Sequence, residues 1–361
     1  MEWDQLAEEK TQKLYAGWLK LLLLESPALP LRLASQHHPG AQATTASEFT
    51  TGAYNMCWKW SCGPYIVMTV IEGTLLSKWL RDPSVSAPCL NLDVSESDLR
   101  SAYSGMARIV LGLSKPVFKY IGALQWDSGK WMVAKRPLTL TMNELVRVGN
   151  FLANKFVDCN HRFESASEYF QQLAEQHFLH LKYQRNNAID DEDDCRKKYV
   201  ARCLFRQIAR RVTLQHGRYH LYCDDMRPYN VLVSESDLKI TGVIDWENTY
   251  VAPAEFTYGA PWWLLFESPL AWDLDSFMSR YRPRLQLFLD VLRVQEDEQI
   301  CQESLKESQR LSDKMALSIE NGLFWFCLAA RESFMFDEIY WKFLTNNISG
   351  PLALWAIGFL F

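Results

Sequence analysis

Leu221-Tyr222-Cys223-Asp224-Asp225-Met226-Arg227-Pro228-Tyr229-Asn230-Val231-Leu232-Val233, followed by Ile240-Thr241-Gly242-Val243-Ile244-Asp245-Trp246-Glu247, decides how this chain is read. Asp225 and Asn230 stand five apart on a loop that holds Pro228, and the apolar strand Val231 to Val233 follows. Leu238 to Ile244 reads as a second strand that ends in a carboxylate, Asp245. Two short adjacent strands would bring Asn230 and Asp245 side by side. A carboxylate and an amide oxygen so arranged are donors for a hard cation, with water and phosphate oxygens completing an octahedron around Mg²⁺. Asp225 is placed to accept the proton of a hydroxyl as that hydroxyl attacks phosphorus. The Asp-x-x-x-x-Asn spacing with a later metal Asp belongs to the phosphoryl-transfer pattern of kinases. An Asp/Asn pair alone is common in loops. Pro228, the strand and the second carboxylate make the combination stronger than a turn with a capping Asp.

Working outward, Tyr219 to Tyr222 reads as a short strand before the loop. Ser95 with Asp98 three residues on has the form of a helix cap. Leu99, Ala102, Tyr103, Met106, Ile109, Val110 and Leu113 then keep helical spacing. Phe118 to Leu124 and Lys130 to Ala134 read as a hairpin around Asp127-Ser128-Gly129, and Tyr169 to Tyr183 as helix. The acidic run Asp190 to Asp194 leads into a helix from Arg196 to Val212. There Arg202, Arg206 and Arg210 form one face, and Val200, Cys203, Leu204 and Ile208 the other. Acid at the start and base toward the end suit the helix dipole, a simpler reading than an acidic metal or cation patch. Helices are expected over Trp272 to Val294, Gln302 to Glu320 and Leu323 to Phe336. At the other end, Trp3 to Leu24 reads as helix, Ser26 to Ala46 as loop, and Thr50 to Trp60 and Pro64 to Ile71 as strands.

With 48% hydrophobic and 22% charged residues, the chain can bury a large core, which excludes a disordered chain or a rod. The formal charge of −5 gives no global signal for nucleic acid. Nine Cys without a Cys-x-x-Cys favour reduced, buried thiols over zinc. His177 and His180, three apart on a helix, read as surface or rim residues. The acidic opening is unlike a secretory signal and no apolar run reaches bilayer length, so the expectation is a cytoplasmic protein with no membrane partner. A metal-dependent hydrolase using the same carboxylates lacks a histidine cluster or activated nucleophile.

Cys223-Asp224-Asp225-Met226-Arg227-Pro228-Tyr229-Asn230 resembles the catalytic stretch of the aminoglycoside-phosphotransferase-like small-molecule kinases, in particular their large fungal group. Gly242 to Glu247, Ala252 to Tyr258, Pro261 to Leu265, Glu267 to Pro269, Gly63 to Met68 with Glu72-Gly73, Lys135 to Leu138 and Met142 to Leu145 resemble it too. The resemblance runs from about Trp3 to about Phe343. It implies an α+β, protein-kinase-like bilobal fold with a sheet-containing N lobe and a mostly helical C lobe. It also implies ATP and Mg²⁺ as cofactors and a small-molecule hydroxyl as acceptor, of unknown identity. By the same resemblance Asp225 is the catalytic base, and Asn230 and Asp245 hold the metal. Gly52 begins the sheet over the phosphates, and the backbone from Met68 to Val70 faces adenine. Arg227 lies where protein kinases carry a phosphate-approaching Lys. It either neutralises charge on the phosphoryl oxygens or pairs with Asp224 or Asp225 to order the loop. Asp224 reads as loop-ordering. Trp246, Trp262, Trp263 and Trp272 read as core before they read as the wall of a cation or ring pocket.

The chain departs from the family between Gly52-Ala53-Tyr54-Asn55-Met56-Cys57-Trp58 and Gly63-Pro64-Tyr65. Family members carry several dozen residues there, with a strand-borne cation and an acidic helix that pairs with it. That pair positions the α- and β-phosphates. The expected organisation is an N-terminal helix and loop over 1–48, reduced N-lobe strands and hinge over 49–73, a helical C lobe with catalytic and metal loops over 74–345, and an atypical apolar tail over 346–361. Two functions stay open: a phosphotransferase impaired by the missing segment, or a non-catalytic kinase-like scaffold that binds a protein partner or ligand.

Overall fold

The computed structural model describes residues 71–85, 87–147, 151–184, 189–212 and 218–345. Contacts divide the chain into a unit Met1–Ile71 and a unit Glu72–Phe361, and all described residues except Ile71 belong to the second. The expected N-terminal helix and strands, the cofactor residues Gly52, Met68 and Val70, and the tail 346–361 lie outside the described residues.

The described part is mixed α and β, mostly helical, with three small antiparallel sheets. It begins with β1 (Thr74–Leu75) and the short α1 (Leu76–Leu80). The backbone before them turns at Gly73, φ +138°, where a Cβ would stand 2.8 Å from the Val233 carbonyl oxygen. Only glycine suits that backbone and that approach. Helix α2 (Glu96–Ser114) starts as expected: Ser95 Oγ accepts from the Asp98 amide at 3.1 Å. Its buried face carries Leu99, Ala102, Tyr103, Met106 and Leu111, spacing that lines one side of a helix. Pro116, two residues past its end, disfavours helix in the residue before it.

The hairpin β2 (Ala123–Asp127) and β3 (Lys130–Lys135) turns where the sequence placed it. Its first strand lies later than expected, because Phe118 and Ile121 are bridged instead to Tyr219 and Phe163. Three helices follow: α3 (Leu140–Arg147), α4 (Ala166–Tyr183) and α5 (Glu192–Ala209). Next come β4 (His220–Cys223), β5 (Val231–Val233), β6 (Ile240–Val243) and β7 (Thr249–Ala252). Strand β5 lies between β1 and β6, and β4 pairs with β7. The remainder is helical: α6 (Ala254–Tyr258), α7 (Phe277–Cys301), α8 (Ser312–Glu320), α9 (Leu323–Arg331) and α10 (Phe336–Ile339).

One large core joins most of these elements, with Tyr103, Phe170, Phe205, Phe277, Phe288 and Phe326 fully buried in it, and a smaller cluster holds Met142 and Leu145 of α3. Fully burying one such ring is worth about 1.5–3 kcal/mol over leaving it exposed. The packing corrects several expectations. On α5 the buried face is Ala201, Arg202, Phe205 and Ala209, whereas Val200 and Leu204 are exposed. Arg202 is inside because its guanidinium meets Asp337 at 2.8 and 3.1 Å and the carbonyls of His177 and Lys198. His177 and His180 are buried as well, against Phe336 and Phe334, and are not rim residues. Residues 302–311 are not α-helix; only Ser312–Glu320 of that expected segment is. Of the seven described cysteines, all free, only Cys223 and Cys327 are buried. No helix among the described residues is long and apolar enough to cross a membrane.

Candidate functional site

Strand β4 ends at Cys223, and the chain turns at once through Asp224 and Asp225. Pro228 opens a one-turn 3₁₀ helix, Pro228–Asn230, in which the Asn230 amide donates to the Arg227 carbonyl at 2.9 Å. Proline suits this first helical position, having no N–H to leave unpaired. The loop then runs directly into β5.

The two adjacent carboxylates have different surroundings. Asp224 is 6% exposed. Its Oδ2 accepts from the Leu140 amide at 3.2 Å, and its Oδ1 from the Tyr250 hydroxyl at 3.1 Å. Arg331 Nη1 stands 3.7 Å from Oδ1. Burial pushes the Asp224 carboxyl above its ordinary range, and the Arg331 guanidinium opposes the shift. These bonds tie the start of α3 and strand β7 to the loop, so Asp224 has the loop-ordering place its sequence position suggested.

Asp225 has fewer obligations. Its Oδ2 accepts from Asn230 Nδ2 at 2.9 Å, and the same nitrogen donates to the Asp225 carbonyl at 2.8 Å. Arg227 Nε lies 2.8 Å from Asp225 Oδ1, an ion pair whose N–H is not aligned for a hydrogen bond. Arg227 thus pairs with Asp225, one of the two roles expected of it. Burial raises the Asp225 carboxyl, Arg227 and Asn230 lower it, and Glu247 adds to the rise. A carboxylate made more basic in this way is a better proton acceptor near neutral pH.

Strand pairing brings the third residue close. Val231 lies opposite Val243, and the Ile244 amide donates to the Asn230 carbonyl at 2.9 Å. Asp245 is therefore one residue from the backbone contact of Asn230. Its φ of +59° takes the chain out of β6 in the left-handed region, which Asp tolerates better than most residues. Trp246 Nε1 donates to the Val243 carbonyl at 3.0 Å and closes this turn.

Both hydrogens of the Asn230 amide point at Asp225, which leaves the amide oxygen to face away from it. An amide oxygen and one carboxylate are hard donors of the kind Mg²⁺ takes, since it keeps several waters and phosphate oxygens in its octahedron. The residues thus fit Mg²⁺ on donor chemistry. Among the described residues no group of three or more His, Cys, Asp or Glu is gathered for a metal.

Trp262 and Trp263 line a cavity of about 70 Å³ beneath the loop, with Cys223, Met226 and Arg331. Trp263 and Trp272 are core, while Trp246 is 41% exposed next to Asp245. Sequence reasoning missed Arg331 and Glu332 at the end of α9. The Arg331 guanidinium stands over the rings of Tyr222 and Phe256, 5.1 and 5.3 Å from their centres. Burial pushes Glu332 up to about 7, with Arg331 opposing and Glu144 and Asp224 adding. No local pattern marks these two, because they reach Asp224 only through tertiary packing.

Comparison with family models, curated proteins and solved structures found no match to this chain.

Proposed function

We propose that this chain is an ATP- and Mg²⁺-dependent phosphotransferase of the aminoglycoside-phosphotransferase type, acting on a small-molecule hydroxyl and impaired by the missing N-lobe segment. Its fold in this reading is the kinase-like bilobal one, with reduced N-lobe strands over 49–73 and a C lobe over 74–345. The observation that carries the proposal is the double hydrogen bond from Asn230 to Asp225, in register with the strand pair that brings Asp245 alongside. One loop then presents a base and one metal donor, and the next strand end presents the other.

In the reaction, the acceptor oxygen forms a bond to the γ-phosphorus as the bond from phosphorus to the β–γ bridging oxygen breaks. ADP leaves with that electron pair, and the hydroxyl proton passes to Asp225. Asn230 and Asp245 would hold Mg²⁺, which would supply charge neutralisation on the phosphate oxygens. Arg227 holds Asp225 in place and adds positive charge beside it.

A second reading, a non-catalytic kinase-like scaffold or ligand-binding protein, is favoured by the short span between Trp58 and Gly63. That span leaves no room for a phosphate-anchoring cation on an N-lobe strand. Calorimetry of ADP binding with and without Mg²⁺ separates the two. Mg²⁺ is expected to tighten ADP by about tenfold or more, a gain of ~1.4 kcal/mol, and Asp245→Ala to abolish that gain. An equal Mg²⁺ response in wild type and variant defeats the metal assignment. Absence of ADP binding by the folded protein favours the scaffold.

A further inference from the structure

The tip of the β2–β3 hairpin carries two tryptophans that lie outside the core clusters formed by the described residues. Trp126 and Trp131 lie directly opposite each other, their rings 5.2 Å apart at 66°. They remain 57% and 62% exposed in spite of that contact. The same hairpin face carries Leu124 opposite Val133, and Val133 is buried in the main core. The face that holds the hairpin to the domain therefore continues past the domain edge as an aromatic pair. A cross-strand ring contact stabilises a hairpin by roughly 0.2–1 kcal/mol, which accounts for the pairing but not for placing two indoles in water.

Positive charge predominates along the hairpin and the segment leading into it, while at the tip itself Lys130 stands opposite Asp127. Residues 115–136 contain Lys115, Lys119, Lys130, Lys135 and Arg136 against a single carboxylate, Asp127. The whole chain carries −5, so the segment runs against the charge of the rest. Lys119, Lys130 and Lys135 are exposed. Indole rings favour the boundary between water and apolar phase, and lysines near such a boundary are drawn to anionic headgroups.

We infer that the hairpin tip is a peripheral docking element for an anionic lipid surface, with Trp126 and Trp131 entering the headgroup layer and the lysines meeting lipid charge. The hairpin is fixed to the domain at its base, where the Gly122 amide donates to the Val251 carbonyl at 3.0 Å and the Gly122 carbonyl accepts from the Val251 amide at 2.9 Å. Val251 is on β7, the partner of the strand that delivers Asp224 and Asp225. Docking at the tip thus holds the candidate site close to the lipid surface, where hydroxyl-bearing amphiphiles concentrate. The inference does not depend on the phosphotransferase reading.

Co-sedimentation of the full chain with phosphatidylcholine vesicles, with and without phosphatidylserine, tests this. Binding is expected on the anionic vesicles, falling by about tenfold or more in Trp126→Ser/Trp131→Ser and weakening as salt rises. Lys119→Glu/Lys130→Glu/Lys135→Glu, which keeps both rings, is expected to lose binding too. Thermal unfolding establishes that each variant is folded. Brominated lipid is expected to quench wild-type fluorescence and to spare the tryptophan double variant. Three results overturn the inference: no binding to anionic vesicles, equal binding by the variants, or a concentration-dependent dimer that the tryptophan variant abolishes.

Discussion

The loop from Cys223 to Asn230 and the packing seam between α4, α5 and α10 both bury charged or titratable groups, and they treat them differently. In the loop, Asp224 has a donor on each oxygen and an arginine nearby. Asp225 is held by one amide and one misaligned guanidinium, and its side chain is 14% exposed. In the seam, Arg202 and Asp337 satisfy each other, while the ring nitrogens of His177 and His180 have no well-aligned hydrogen-bond partner. A buried group whose bonds are complete serves structure. Burial displaces proton affinity in both regions, and where the group meets solvent decides whether that serves chemistry or makes the fold acid-labile. Asp225 opens to the loop surface. The two histidines do not open at all.

The largest test of that contrast is Asp337→Ala. It leaves the Arg202 guanidinium buried without its carboxylate, and urea unfolding is expected to show a loss of about 3–5 kcal/mol. A loss below about 1 kcal/mol would mean that the carbonyls of His177 and Lys198 suffice, and the seam would not be an ion-pair structure.

The two loop carboxylates allow a sharper test. Asp224→Ala removes the acceptor for the Leu140 amide and the Tyr250 hydroxyl, and the charge facing Arg331. It is expected to cost about 2–3 kcal/mol in the same measurement. Asp225→Ala leaves Asn230 bonded to the carbonyl of residue 225 and is expected to cost less than about 1 kcal/mol. Equal losses would erase the distinction between a structural and a chemical aspartate.

A further test is read against pH. Burial pushes His180 down to about 4, with Arg202 adding to the shift. The unfolded chain takes up that proton near pH 6.5 and the folded one does not. Stability is therefore present above pH 6.5 and is lost as pH falls toward 4. Between pH 7 and pH 5 the loss from this residue is about 2 kcal/mol, and His180→Leu is expected to flatten the profile by that amount. An unchanged slope would show that the ring reaches solvent.

Much of the fold and of the candidate site was legible from local pattern. The cap at Ser95 and the stripe of α2 follow from neighbouring residues alone. So do the turn at Asp127-Ser128-Gly129 and the strand after Asn230. The expected closeness of Asn230 and Asp245 needed only two strands joined by a short connection. β7 was not legible, because Thr249–Ala252 becomes a strand through pairing with β4. The face of α5 was misread for a related reason. Arginine every fourth residue has the form of a solvated stripe, and Asp337, which draws one of them inside, is 135 residues away.

The sequence by itself determined the periodic helices, the hairpin turn and the spacing of Asp225, Asn230 and Asp245, since each depends on sterics and hydrogen bonds within a few residues. The tertiary structure alone decided which carboxylate of the adjacent pair is enclosed. It also decided which arginine of α5 is buried, where Arg331 and Glu332 stand, and that two tryptophans project beyond the core. Those outcomes rest on solvent exclusion and on partners from distant segments. Both arise only when the whole chain has packed.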